Sequence, residues 1–225
     1  MKKIIAFSLW GKELKYTIGA IKNSELASII YPGWICRFYV GDDVPEDIIE
    51  QLESNSEVIR MTGSDCNWTS TYWRFLPAGE TDVEVMISRD TDSRLNLREK
   101  AAVDEWLESD KNFHVMRDHN WHMIEILAGM WGVKNGLLEN IEELMKNHNK
   151  TLDKQSDQTF LRTVVYPKVR HSLMVHDEIT DYRHLDESRN FPTERNDFEF
   201  VGDVFTYDDI RTEEFKTVLK NYLNI

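Results

Sequence analysis

No stretch of this sequence approaches the roughly 18 apolar residues that a membrane-spanning helix needs, so no helical span is expected. Cysteine is scarce: only Cys36 and Cys66 occur, in unrelated surroundings and without metal-ligand spacing. Two such thiols argue against a disulfide scaffold and fit a reducing compartment, so a soluble, cytoplasmic protein is expected. Proline is limited to 5 residues, and no repeat, low-complexity tract or linker interrupts the chain. Basic residues are outnumbered, with Lys and Arg totalling 27 against 40 Asp and Glu, for a formal net charge of −13. An extended nucleic-acid surface is therefore not expected, because a phosphate backbone would be repelled. The opening MKKIIAFSLWGKELK places two lysines before an apolar run, as a secretion signal does. That run ends after Trp10 without a small-residue cleavage site, and a first buried strand is expected instead.

What is present is the composition of a folded globular chain: 225 residues, 41% hydrophobic, 11% aromatic and 30% charged. Such a length buries one sizeable core, and one domain over residues 1–225 is expected. KIIAFSL (3–9), ICRFYV (35–40), EVIRMT (57–62) and VEVMIS (83–88) read as strands. Helices are expected between them at YTIGAIKNSELASIIY (16–31), PEDIIEQLESN (45–55) and within TSTYWRFLPA (69–78). Farther along, the pattern predicts helices over 97–110, 122–136, 141–149, 154–167 and 213–223. It predicts strands over 113–118, 172–177 and 199–205, with irregular chain over 181–197. Strands alternating with helices define an α/β fold with a sheet of parallel strands. Ligands of such sheets lie beyond the carboxyl ends of the strands.

The stretch EVMISRDTDSR (84–94) puts the triplet Asp90-Thr91-Asp92 at one of those ends. Two carboxylates there suit Mg²⁺ or Mn²⁺, which would also bridge phosphate oxygens. They also suit a solvated turn, so other residues must decide. His176, in MVHD, ends another expected strand and would complete a mixed oxygen and nitrogen site, with Asp177 beside it; a buried structural histidine is the alternative. Arg74, after two aromatics, is a phosphate or sugar-hydroxyl clamp, or a guanidinium packed on Trp73. Asp118, His119, Trp121, His122 and Trp131 offer a carbohydrate platform, unless the tryptophans are core. Asp157-Gln158 open a helix and either face solvent or present a carboxylate and an amide to a sugar.

Taken in order, RDTDSR with Arg74 upstream, then MRDH…W…AGMWG, DQTFL and VHD, resemble the GT-A class of nucleotide-sugar glycosyltransferases. The similarity covers roughly residues 3–205 and is greatest to small glycosyltransferase-like proteins of bacteria and large DNA viruses, including chloroviruses. The resemblance implies a single Rossmann-like domain, its mostly parallel central sheet flanked by helices, and a hexosyltransferase in which residues 1–92 bind the nucleotide and 93–225 serve the acceptor. Asp90 and Asp92 would hold Mn²⁺ or Mg²⁺ against the diphosphate of a UDP-sugar, with His176 matching the third ligand of the glycogenin-like branch. The glycine-lysine pattern that follows that histidine in the branch is absent here. Ser8, Leu9, Trp10 and Gly11 match the nucleoside-contacting segment, and Tyr16 is placed to stack on the base. Arg74 matches an arginine touching donor sugar or phosphate, and Asp157-Gln158 match the acceptor-side pair of retaining relatives. The acceptor would be a glycan or glycoprotein, held by Asp118, His119, Trp121 and Trp131, and for a viral chain the location would be the host cytoplasm.

Two other functions stay open on the residues alone. One is a haloacid-dehalogenase-type phosphatase or phosphotransferase using the aspartate triplet, with Asp208-Asp209 as a distal metal pair. That family carries its triplet on the first strand, followed by Gly-Thr or Val, whereas Ser93-Arg94 follow here on the fourth. The other is a non-catalytic sugar- or nucleotide-binding module.

Overall fold

The structure is a computed structural model and describes residues 1–179 and 187–223. Its first half is a strict alternation: β1 (Lys2–Leu9), α1 (Leu14–Ile30), β2 (Ile35–Gly41), α2 (Glu46–Glu53) and β3 (Glu57–Met61). A 3-10 helix (Trp68–Gly79) then leads into β4 (Val83–Ser88). Asn67 starts the 3-10 helix by accepting from the Thr69 amide and exchanging capping contacts with Ser70; Pro77 lies in its last turn. Next come α3 (Leu97–Glu108), capped by Asn96 on the Glu99 amide, β5 (Phe113–Arg117) and β6 (Trp131–Lys134). The chain continues through α4 (Ile141–Asn147), α5 (Ser156–Phe160), a π turn (Leu161–Val165), α6 (Tyr166–Val169) and β7 (Leu173–Asp177). The final elements are β8 (Ser188–Arg189) and α7 (Glu213–Tyr222).

The strands form one sheet in the order β3-β2-β1-β4-β6-β5-β7-β8. β1 pairs in parallel with both β2 and β4, and β5 in parallel with β7; β6 runs antiparallel between β4 and β5. β4 is buried on both faces, as befits a strand covered by helices on each side. One face packs Tyr72, Phe75, Phe113, Trp131 and Phe160; the other packs Phe7, Phe38, Leu52 and Trp106.

The structure departs from the expected elements at three places. Residues 122–130 are irregular and 131–134 form β6, so the helix expected over 122–136 is absent. Gly132 lies opposite Ile87 across the β4–β6 pairing, where a Cβ would press on the Ile87 side chain and the Met86 carbonyl. Residues 199–205 make isolated bridges, Ser93 with Val204 and Phe205 with Arg211, in place of a strand. The irregular chain expected over 181–197 contains β8, and its residues 181–186 lie outside the described ones.

Candidate active site

A cleft of about 550 Å³ opens where β1 and β4 deliver their carboxyl ends, next to the 3-10 helix and the start of α5. Ser8, Leu9, Trp10, Gly11, Tyr16, Arg74, Asp90, Thr91, Asp92, Asp157 and Gln158 all line it. These residues come from four segments far apart in sequence, and the parallel half of the sheet brings them together. Ser8 ties two of the segments, since its hydroxyl donates to the Thr71 carbonyl and accepts the Arg74 amide proton. Gly11 turns the chain out of β1 at φ +76°, and its amide donates to Asp43 Oδ1 at 2.8 Å.

The aspartate loop is held from below by α1. Asn23, fully buried, donates to the Ser93 carbonyl and accepts the Leu95 amide proton. Gly19 brings α1 against the Thr91 carbonyl, a space that any Cβ would fill. Gly129 performs the same service for Asp90, whose carboxylate lies where a Cβ would stand. Over the top, the Phe205 amide donates to the Asp92 carbonyl, so segment 202–205 closes that side of the cleft.

Charge dominates the site. Arg74 is buried and bridges two carboxylates: it donates to Asp90 Oδ1 and, at 2.8 Å, to Asp157 Oδ2. Burial alone would lower its pKa; Asp90 and Asp157 outweigh that and raise it. Asp92 pairs with Lys15 at 2.9 Å. Burial and then the neighbouring Asp90 push the Asp92 carboxyl above its ordinary value. Burial also raises Asp157, against the pull of Arg74. His122 joins the cleft wall, with its Nδ1 accepting the Asp118 amide proton. That bond places the ring proton on Nε2, and burial beside His119, Arg195 and Arg117 drives its pKa down to about 3. The ring is therefore a neutral hydrogen-bond donor.

A divalent cation fits this donor set. Asp90 and Asp92 supply hard oxygens to one cleft, and both carboxylates already draw a protein cation to themselves. Among the described residues no group of three or more His, Cys, Asp or Glu is placed for a metal, so the remaining ligands would come from phosphate and water.

The other expected site residues lie elsewhere. β7 is three strands from β4, roughly 14 Å at ordinary strand spacing, so His176 does not reach the aspartates. It is fully buried, with its ring nitrogens 2.8 Å from His114 and 3.2 Å from Glu105. Asp177 pairs with Arg117 at 2.8 Å. Asp118 is a buried anchor that accepts from Arg98, Arg195 and the Val201 amide. His119 is buried against Phe200 and bonded to the Phe215 carbonyl. Trp131, fully buried on β6, stacks on Phe113 and has no surface to offer a sugar. Trp121 is half-exposed but packs on Phe215 of α7 and does not line the cleft. Asp209 is bound to Arg94, and neither it nor Asp208 lines the cleft. Trp68, Lys154, Gly202 and Val204 line it without having been expected. Only Trp68 carried a signal, because it stands at the head of the Arg74 helix.

The carboxylate pair thus stands at the end of a central parallel strand with one antiparallel strand beside it. No protein-family model matches the sequence, and no curated protein does. Solved structures do match. A glycosyltransferase involved in the glycosylation of the major capsid of PBCV-1 is 16% identical with a TM-score of 0.52, covering 86% of this chain and 95% of its own. Glucosyl-3-phosphoglycerate synthase from Mycobacterium tuberculosis, in complex with Mn²⁺, UDP-glucose and phosphoglyceric acid, is 11% identical with a TM-score of 0.51. That likeness covers 77% of this chain and 68% of the synthase. The same enzyme in another crystal structure is 12% identical at a TM-score of 0.50, with 85% and 74% covered. This chain has the GT-A fold. Among the described residues, no helix is long and apolar enough to cross a membrane.

Proposed function

We propose that the protein is a metal-dependent glycosyltransferase that moves a hexose from a nucleoside diphosphate sugar, a UDP-sugar, to a glycan or glycoprotein. The observation that carries this function is the convergence of Asp90, Asp92, Arg74, Asp157 and Gln158 with the β1 terminus in one cleft of a GT-A fold. Residues 1–92 supply the donor grip: Ser8 to Gly11 face the nucleoside, Tyr16 the base, and Asp90 and Asp92 the cation. Residues 93–225 supply Asp157 and Gln158 on the acceptor side.

Bond breaking leaves negative charge on the departing diphosphate. Bound Mn²⁺ or Mg²⁺ supplies Lewis-acid neutralisation of that charge. Arg74 contributes fixed positive charge beside it and costs little reorganisation, because both its carboxylate partners hold it in place. His122 adds a neutral N–H donor to the wall. Both oxygens of Asp157 are engaged, one by Arg74 and one by the Gln158 amide, which suits a positioning carboxylate better than an abstracting base. That supports retention, with Gln158 facing the developing oxocarbenium ion.

Calorimetry of UDP binding with and without Mn²⁺ tests the site. Asp92→Asn should abolish the Mn²⁺-dependent component while leaving thermal unfolding near wild type, and an unaltered titration rejects the metal assignment. Hydrolysis of a UDP-sugar panel separates a transferase from a binding module, and product NMR showing an inverted anomeric centre rejects retention.

A further inference from the structure

Lys15 stands in the first turn of α1, and its ammonium makes two contacts that a bound donor would need for itself. Its Nζ is 2.9 Å from Asp92 Oδ2, and it lies 4.8 Å above the centre of the Tyr16 ring. One cation thus covers both a carboxylate of the aspartate pair and the aromatic face at the nucleoside end of the cleft. We propose that Lys15 is a displaceable counter-ion which the divalent cation and the nucleobase must both dislodge. This rests on the metal and nucleotide assignments made above.

Lys154 also lines the cleft, but the two cations paired with the aspartates, Arg74 on Asp90 and Lys15 on Asp92, differ in how readily they can leave. Arg74 is buried, and its departure would strand the buried Asp157 carboxylate. Lys15 is about one-third exposed on a flexible four-carbon stem and can turn into water while staying hydrated. A divalent ion that takes Asp92 releases Lys15, which at the same stroke uncovers Tyr16. Occupation of Tyr16 by a base likewise frees Asp92. Metal and nucleotide therefore assist one another through this side chain, and linkage makes the assistance equal in both directions.

The test is calorimetry with Mn²⁺ alone, UDP alone and the two together, on wild type and Lys15→Met. Loss of a like charge beside the cation site should tighten binding of Mn²⁺ alone by roughly tenfold. The factor by which UDP and Mn²⁺ enhance one another should shrink. Lys15→Gln should behave as Lys15→Met does, and equal melting temperatures would show both variants folded. A merely structural lysine would weaken Mn²⁺ binding when removed, so the direction of the change decides. If wild type binds Mn²⁺ at an Asp92→Asn-sensitive site and Lys15→Met binds it no tighter, the counter-ion role is overturned and the metal site stands. If neither protein binds Mn²⁺ with or without UDP, the metal site itself is rejected and the counter-ion role goes with it.

Discussion

Replacing Arg74 by Met isolates the electrostatic demand of the cleft. The side chains of Arg74 and Asp157 are only 5% and 4% exposed, so the variant leaves a carboxylate buried without its partner. Breaking a buried pair on one side costs roughly 3–5 kcal/mol. Asp157 lines an open cleft and keeps the Gln158 amide as a donor, which argues for the lower end, about 3 kcal/mol near pH 7. The cost must depend on pH. Burial already raises the Asp157 pKa against the pull of Arg74, and removing Arg74 raises it further. The folded variant then holds the Asp157 proton more tightly than the unfolded chain does. Its stability falls as pH climbs from the ordinary aspartate value near 4 through the raised one. As pH falls toward 4 the raised Asp157 takes up its proton, and what remains is lost packing, the bond to the Arg89 carbonyl and the pairing with the half-exposed Asp90, about 1 kcal/mol. Urea unfolding of wild type and variant at pH 4, 5.5 and 7.5 measures the difference, in which effects common to both proteins cancel. Adding Asp157→Asn to the Arg74→Met background should recover most of the loss at pH 7.5 and little at pH 4. A deficit equal at all three pH values, or one untouched by Asp157→Asn, would refute the ion-pair argument.

Gly129→Ala places a methyl group where the Asp90 carboxylate lies, so it should weaken Mn²⁺ binding by more than tenfold while costing only about 1–3 kcal/mol of stability. Calorimetry and urea unfolding on the same sample separate the two effects, and intact Mn²⁺ affinity would contradict the packing. Acid sensitivity follows from five histidines. Burial depresses His114, His119, His122, His148 and His176, the third to about 3. Unfolded chain takes up these protons near pH 6.5 and the folded protein does not, so stability is full above that pH and falls below it. Asp203, raised to about 6 by burial, opposes the trend, as do Asp92, Asp157 and Glu199, which burial also raises. The urea midpoint should drop by the equivalent of at least ~2 kcal/mol between pH 7 and pH 5.5, and a flat profile would show that the rings are protonated in the fold.

The aspartate side of the cleft was legible because its residues sit at fixed offsets from strand ends. β1, β2 and β4 each show apolar runs bounded by turn residues, and a parallel sheet then aligns their carboxyl ends without further information. Ser8 to Gly11 and Asp90 to Asp92 follow from that rule, and Arg74 follows because Ser8 grips the 3-10 helix that carries it. Across β6 the rule loses its hold. WGVK is a four-residue strand running against its neighbours, and its flanking apolar residues mimic a helical period. Inserting β6 moves β5 and β7 outward by one strand, which takes His176 out of range of the aspartates however well its sequence position suits a ligand. The same residues then serve the interior: Trp131 fills the space between Phe75 and Phe113, and Asp118 gathers two arginines and the Val201 amide. What local sequence cannot supply is the order of strands in the sheet, and that order separates a ligand at a strand end from a buried residue at the end of another. Lys15 shows the converse. Nothing in GKELKY marks it, yet one turn of α1 sets its ammonium between Asp92 and Tyr16. Such a role is defined by the pair it touches and by no feature of its own segment.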